Sequence, residues 1–195
     1  MEFLTPSWDD IHLYSAKLAL KVLEDYRPDI IIGVLRGGYI VARIVADIMG
    51  VKDLGVVEVK FYKGVGETAE KPVITQPLVA DVKDKNVLIV DDVVDSGRTL
   101  QIVTEQTRLR GAKNLKSASI YYKPRSIARP DYFIVETSKW ILFPWEAAEF
   151  LEDMGVYMDL EKATQLIRDS GIKVREDVAR TLLEALKTRA SKTQD

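Results

Sequence analysis

Asn86-Val87-Leu88-Ile89-Val90 is a short, unbroken apolar run, and two aspartates, Asp91 and Asp92, follow it at once. A strand that is apolar on both sides of its pleat needs both faces of its sheet covered, which is the condition of a parallel sheet flanked by helices. Asp95-Ser96-Gly97-Arg98-Thr99 comes next, and then a helical stretch from Leu100 to Arg110, closed by Gly111. The unit therefore reads strand, tight turn, helix, with carboxylates at the C-terminal end of the strand, where ligand crevices open in such sheets. Residues of this kind at a helix N-terminus leave backbone N–H groups, the Ser96 and Thr99 hydroxyls and the positive helix end available to a phosphate. Gly97 lets the main chain come close to a ligand.

Carboxylates beside a phosphate cradle would repel a bare anion. The conflict disappears if the ligand carries hydroxyls between the two, as a ribose 5-phosphate does; the acids then accept from those hydroxyls or hold a hydrated Mg²⁺. The plainer alternative is an acidic strand end capping a helix, with Ser96 as N-cap and no ligand. The complete strand, Asp-Asp, Asp-Ser-Gly-x-Thr, helix context favours the ligand.

Elsewhere β-like runs alternate with helical stretches, the pattern of a parallel α/β sheet. Ile11–Tyr26 has a helix-like apolar spread ended by Arg27-Pro28, and Ile30–Val34 is a second buried strand. That strand enters Leu35-Arg36-Gly37-Gly38, and a helix is expected over Tyr39–Met49, stopped by Gly50. Strands are expected at Val56–Tyr62, Ser117–Tyr122 and Tyr132–Val135, and Lys63–Pro77, with two glycines and two prolines, reads as a loop or irregular hairpin. From Trp145 onward the period is helical, with two short amphipathic helices around Ser170-Gly171. The expected organisation is a core with a small hood over residues 1–148. A helical extension over 149–195 would pack on the core or at a subunit interface. There is no internal repeat.

Composition prunes the chemistry. The chain has no cysteine and one histidine, His12, so disulfides, thiol nucleophiles, Cys-based metal sites and multi-histidine sites are excluded. Its 28 Lys and Arg against 30 Asp and Glu argue against bulk electrostatic binding of nucleic acid. No run reaches the length of a membrane span, and MEFLTPSWDD lacks an apolar signal core, so a cytoplasmic chain is expected.

Val87–Leu100 resembles the 5-phosphoribosyl-1-pyrophosphate (PRPP) signature of the type I phosphoribosyltransferases, and further segments resemble their 6-oxopurine branch (hypoxanthine, guanine and xanthine). The resemblance covers about residues 30–146. It implies the fold of that family: a mostly parallel twisted sheet flanked by helices, with a base-binding hood. It places the ribose- and Mg²⁺-associated acids on Asp91 and Asp92, with Asp92 a metal ligand. The proton partner at purine N7 falls on Asp95, and the 5′-phosphate loop on Asp95, Ser96, Gly97, Arg98 and Thr99; Ser96 stands where the branch more often has Thr. Leu35-Arg36-Gly37-Gly38 is similar to the pyrophosphate loop, often built around a non-proline cis peptide, with Arg36 a catalytic cation.

Tyr121-Tyr122-Lys123-Pro124 resembles the strand end whose lysine contacts the 6-oxo group. Lys139-Trp140-Ile141-Leu142-Phe143-Pro144-Trp145-Glu146 is similar to the base-stacking segment of the bacterial xanthine–guanine enzymes. Trp140 would stack on the purine, the Ile141 backbone would bond its edge, and Glu146 would sit near the pyrophosphate metal. The mobile loop of the family usually opens with Ser-Tyr; here it reads Phe61-Tyr62, so only Tyr62 carries over as a lid residue. Taken singly, Arg36 could be a surface cation, Lys123 a solvated lysine, Trp140 a packing residue and Tyr62 a strand residue.

What the resemblance implies is transfer of the 5-phosphoribosyl group from PRPP to N9 of a 6-oxopurine, giving a nucleoside monophosphate and pyrophosphate. It implies Mg²⁺ as cofactor, no nucleic-acid or membrane partner, and a homodimer or homotetramer. The rivals are a phosphoribosyltransferase for another base and a PRPP- or nucleotide-sensing regulator on the same fold.

Overall fold

The computed structural model of the chain describes residues 3–63, 70–155, 159–171 and 173–192. In chain order its first elements are β1 (Phe3–Leu4), α1 (Trp8–Leu23), β2 (Ile30–Leu35), α2 (Gly37–Met49), β3 (Asp53–Lys63) and β4 (Glu70–Gln76). Then come β5 (Asn86–Val94), α3 (Arg98–Leu109), β6 (Asn114–Tyr122), β7 (Tyr132–Glu136) and β8 (Trp140–Ile141). A 3-10 turn at Pro144–Glu146 leads to α4 (Ala147–Asp153), α5 (Leu160–Ser170) and α6 (Glu176–Lys192). The chain divides into two compact units, one of Ile11–Ser138 and one of Met1–Asp10 with Lys139–Asp195, so the boundary expected at 148/149 falls inside the second.

The Ile11–Ser138 unit is a six-stranded sheet in the order β4-β3-β2-β5-β6-β7, with every pair parallel except β3–β4. This is the expected fold class. β2 is wholly apolar along Ile30–Val34 and buried there, as a central parallel strand must be. Ile30, Ile32 and Val34 pack in one cluster with Val87, Ile89, Leu100 and Val103, which sets alternate residues of β2 toward α3. α2 crosses the opposite face at Gly33, where a Cβ would sit 3.0 Å from both the Tyr39 Cα and the Ala42 Cβ. Each fully buried Ile, Leu or Val here contributes about 1.5–3 kcal/mol.

Chain order reverses between β2 and β5: from β2 the chain steps outward to β3, and β5 lies on the other side. Such a switch point is where an open α/β sheet binds its ligand. The registers show how the crevice is made. β2 pairs with β5 only as far as Gly33↔Val90, whereas β5 continues along β6 to Val94↔Tyr122. β5 therefore outruns its neighbour, and Asp91 and Asp92 lie within the strand rather than after it.

Of the two readings of Lys63–Pro77, the irregular hairpin holds: β4 runs antiparallel to β3, from Glu58↔Gln76 to Lys63↔Glu70, with a register shift at Glu58/Val59. Val73, Ile74 and Thr75 favour extended backbone, and Pro72 is tolerated because β4 is an edge strand. Residues 64–69 of the expected lid lie outside the described residues. The last helix is longer than expected, with 17 residues.

The second unit is described by itself. β1 pairs in parallel with β8, Phe3 opposite Trp140 and Leu4 opposite Ile141. Leu151, Ala163, Leu183 and Leu186 form its core, with Ala148, Leu166 and Ile167 packed against them. Phe143 stacks on Trp145 (centroids 4.7 Å, 9° between planes), and Trp8 tilts against the same ring at 5.7 Å. A capping box opens α1: the Asp10 N–H donates to the Ser7 Oγ (3.1 Å) and the Ser7 N–H to the Asp10 carboxylate (2.8 Å). With Lys173 Nζ 2.9 Å away, these bonds hold the Asp10 carboxyl down at a pKa of about 2.

Candidate functional site

The overhanging end of β5 carries the acids. The Asp91 carboxylate accepts from the Asp92 N–H (3.0 Å), and the Asp92 carboxylate from the Val93 N–H (2.9 Å). Both side chains are hemmed in by protein. Burial first, and then the neighbouring Asp92 charge, push the Asp91 carboxyl well above the ordinary range; burial also raises Asp92. Adjacent acids in this condition want protons, ligand hydroxyls or a hard cation. The donor set fits Mg²⁺, which takes one or two carboxylates and fills its remaining positions from substrate oxygens and water. Among the described residues no group of three His, Cys, Asp or Glu converges as a metal cage. A cation here would thus be shared with a ligand.

The loop at the end of β2 closes against this strand. Its Leu35–Arg36 peptide is cis, as the resemblance implied. A Cβ on Gly38 would stand 2.8 Å from the Asp91 Cα and 2.9 Å from the Val90 carbonyl oxygen. Only glycine lets the first turn of α2 lie against β5 at the acidic pair. Arg36 is exposed just before that turn, and its charge helps hold the Glu58 carboxyl below its usual range, after the hydrogen bond from Thr75 and the pairing with Lys60.

Beyond the acids the chain turns at Asp95-Ser96-Gly97. Gly97 is left-handed at φ 82° and forms the N-cap of α3, so the plainer alternative of Ser96 as N-cap does not hold. A side chain at Gly97 would also meet Ser126 and would lie 2.6 Å from the Ala128 nitrogen. The Ser96 hydroxyl instead accepts weakly from the Arg98 N–H at 3.4 Å. Asp91, Asp95, Ser96, Gly97 and Thr99 line one cleft of about 80 Å³, so acids, hydroxyls and a helix N-terminus share a single wall. Arg98 is exposed at the helix start.

Lys123 stands at the end of β6, with its N–H donating to the Val94 carbonyl at 3.0 Å. Only 5% of it is exposed, and burial lowers the pKa of its ammonium, with Asp95 opposing that shift and Arg125 adding to it. Arg125 escaped the sequence reading. Its Nε and Nη2 both donate to Asp95 Oδ1, at 3.1 and 2.6 Å. The available signal was its position two residues after Lys123; nothing in the spacing connects it to a residue thirty positions earlier. The fork fixes one Asp95 oxygen and leaves Oδ2 to face other chemistry.

The remaining predicted residues lie elsewhere. Tyr62 is in β3 opposite Lys71 and is 52% exposed. Trp140, Ile141 and Glu146 belong to the second unit. Trp140 is 57% exposed, although it lies in a strand, while Ile141 is buried. An exposed tryptophan offers a face on which a ring can stack. Glu146 receives the Phe143 N–H at 3.2 Å, which folds the 3-10 turn back on itself.

Comparisons with known proteins agree with this geometry. A family described as the phosphoribosyl transferase domain matches residues 7–150. A xanthine-guanine phosphoribosyltransferase of Gluconobacter oxydans is 33% identical over 151 residues, covering 76% of this chain and 87% of that protein. A protein of the same name from Cereibacter sphaeroides is 36% identical over 150 residues, covering 73% of this chain and 86% of its own length. Among solved structures, a purine phosphoribosyltransferase from Pyrococcus horikoshii superposes with a TM-score of 0.68 at 46% identity, covering 74% of this chain and 95% of that one.

Proposed function

The chain belongs to the phosphoribosyltransferase family, in its 6-oxopurine branch, and is an enzyme of PRPP-dependent purine salvage; on that premise we propose how its residues carry the reaction. The substrate pair is PRPP with hypoxanthine, guanine or xanthine, and the products are the nucleoside 5′-monophosphate and pyrophosphate. The observation that supports this reading most is the shared wall of Asp91, Asp95, Ser96, Gly97 and Thr99. It offers acceptors to sugar hydroxyls and donors to a 5′-phosphate at adjacent points.

In this reading the N–H groups and hydroxyls of Asp95–Thr99 hold the 5′-phosphate, and Asp91 and Asp92 accept from the ribose hydroxyls. Asp91 and Asp92 are also the residues that would hold Mg²⁺, with Glu146 a further candidate from the hood. When bound, Mg²⁺ neutralises charge on the departing pyrophosphate. Arg36 and the main chain of Gly37-Gly38 bind that leaving group. Bond breaking at the anomeric carbon runs ahead of bond making, so positive charge gathers on the ribose, where the acid pair stabilises it. Asp95 Oδ2 takes the proton at purine N7 while Arg125 keeps its other oxygen in place. Lys123 donates to the 6-oxo group, Trp140 stacks on the base and the Ile141 backbone bonds its edge. Tyr62 and the segment after it act as the lid that keeps water from PRPP.

A cytoplasmic homodimer or homotetramer is part of the same proposal. Among the described residues no helix is long and apolar enough to cross a membrane. The deciding experiment incubates the protein with PRPP, Mg²⁺ and a panel of bases and follows nucleotide formation. Product from at least one of hypoxanthine, guanine and xanthine is expected. Product from adenine or orotate alone would move the reading to another base. PRPP binding without any product would favour a sensor.

A further inference from the structure

Outside the catalytic cleft, a second cavity of about 240 Å³ opens in the same unit between the flank of α3 and the β6–β7 side of the sheet. Gln101, Thr104 and Arg108, spaced i, i+3, i+7, put one stripe of α3 along its wall, and Lys116, Arg129 and Asp131 face it. Three cations thus surround one carboxylate, and that carboxylate is already engaged. Asp131 Oδ2 accepts from the Ser117 N–H (2.8 Å) and hydroxyl (2.9 Å), and Oδ1 from Lys116 Nζ (3.1 Å). The Arg108 guanidinium has no ion pair or hydrogen bond among the described residues. Among the described residues Arg129 has no carboxylate partner either; it lies over the rings of Phe133 (5.1 Å) and Tyr122 (5.9 Å).

Each cation has a local explanation. Arg108 complements the C-terminal end of the α3 dipole, and Arg129 packs on aromatics. Neither accounts for both guanidinium groups lining one concave site with the Gln101 amide and the Thr104 hydroxyl. Planar, weakly hydrated guanidinium forks with neutral donors between them match a phosphoryl group. The volume falls just below the roughly 300–1,000 Å³ of clefts that bury drug-sized ligands. The match is therefore to a small phosphoryl anion such as phosphate or pyrophosphate, and not to a whole nucleotide.

The cavity also shares its wall with the phosphate loop. Leu100 lines both clefts. Ala128 lines this one and stands against Gly97, while the neighbouring Ile127 N–H donates to the Ser96 carbonyl at 3.0 Å. We propose that this cavity is a second anion site, binding inorganic phosphate or pyrophosphate through Arg108 and Arg129, and that its occupancy acts on the Asp95–Thr99 loop through Ala128 and Leu100. The binding claim stands by itself; the effect on the loop rests on the reading of Asp95–Thr99 as the PRPP phosphate loop.

Equilibrium dialysis of the full chain with labelled pyrophosphate is the test of binding. The wild type is expected to hold one equivalent more than Arg108→Glu, and Arg108→Gln, a mild change on an exposed helix surface, weakens that equivalent at least tenfold. Arg129→Gln has the same direction. Thermal melts confirm that each variant is folded. Equal binding by wild type and a folded Arg108→Gln variant overturns the site. For the coupling, phosphate is titrated into the reaction at saturating PRPP, where competition at the catalytic loop is removed. A drop in wild-type kcat of twofold or more, absent in Arg108→Gln, supports the coupling, and no drop in the wild type overturns it. A wild type that forms no nucleotide from any base counts against the proposed function, and the dialysis still decides the anion site.

Discussion

In the proposed reaction the two compact units handle a ligand by opposite means. In Ile11–Ser138 the parts proposed to bind anions are main chain: strand ends, the Gly37-Gly38 turn, a left-handed glycine and a helix N-terminus, fitted together so closely that Gly38 and Gly97 have no room for a methyl group. In the second unit the candidate contact is a single exposed ring, Trp140, on a two-residue strand next to a small aromatic cluster. A ribose phosphate is the same in every substrate of such an enzyme, so a cradle without tolerance suits it. The base varies, and a stacking face with an open edge accepts variants. The tight unit should therefore fail sharply when altered and the hood gradually.

The most damaging change expected is Asp95→Ala. Loss of a positioned proton partner lowers turnover by about 10²–10⁴-fold, with PRPP affinity close to wild type in a direct binding assay. Near-normal turnover would remove Asp95 from the chemistry. Gly97→Ala comes next. It forces a left-handed alanine, a strain of about 1–3 kcal/mol, and a clash with the 126–128 segment, so the melting temperature falls and PRPP binding weakens together. A variant with wild-type PRPP affinity would show that the cradle has slack. Trp140→Ala marks the contrast: about a tenfold rise in KM for the base, with KM for PRPP unchanged. If both constants moved together, the division of labour between the units would be wrong.

Smaller effects come from the acids. The folded pKa of Asp91 lies above its unfolded value, so the folded state holds its proton longer. This pair makes the ligand-free chain lose stability as pH rises from about 4 toward the raised folded value. Asp91→Asn should flatten that fall and raise the melting temperature, as expected of a site strained for function. Asp10 behaves oppositely. Its depressed pKa gives stability that is complete above the unfolded value and is lost as pH falls through about 2. Asp10→Asn, followed by melts from pH 2 to 6, should show only a small loss, and only above the lower limit. A large loss at neutral pH would mean that the α1 capping box carries more than a local role.

The tight unit was also the legible one. The Asn86–Val90 run, the acidic pair and the Asp-Ser-Gly-Arg-Thr turn are contiguous, and contiguous backbone chemistry leaves its mark in residue types. β4 was legible only as one of two readings, loop or irregular hairpin, because Gly64, Gly66, Pro72 and Pro77 look like a loop, while an edge strand tolerates Pro where a central one does not. β1 and β8, of two residues each, are too short for any period to register. The glycine pair Gly37-Gly38 was conspicuous, but its cause, contact with Asp91, is a tertiary fact. Arg125 was invisible for the same reason: its partner Asp95 is reached only once β5 and β6 lie side by side. The Arg108–Arg129 cavity draws single residues from separate elements and has no linear signature.

The early end of the β2–β5 pairing has one more consequence. By stopping at Gly33 opposite Val90, while β2 runs on to Leu35 along β3, it leaves β5 with an unpaired edge in the middle of the sheet. An unpaired strand edge is an invitation to any extended peptide, including another copy of the same chain. Here the Asp92 and Val93 amides are turned onto the carboxyl groups of the residues before them, and two acidic side chains guard the gap. A foreign strand would find those donors engaged and the surface polar. The carboxylates that a sugar would use are thus also what allows a sheet to be opened at its centre without becoming sticky.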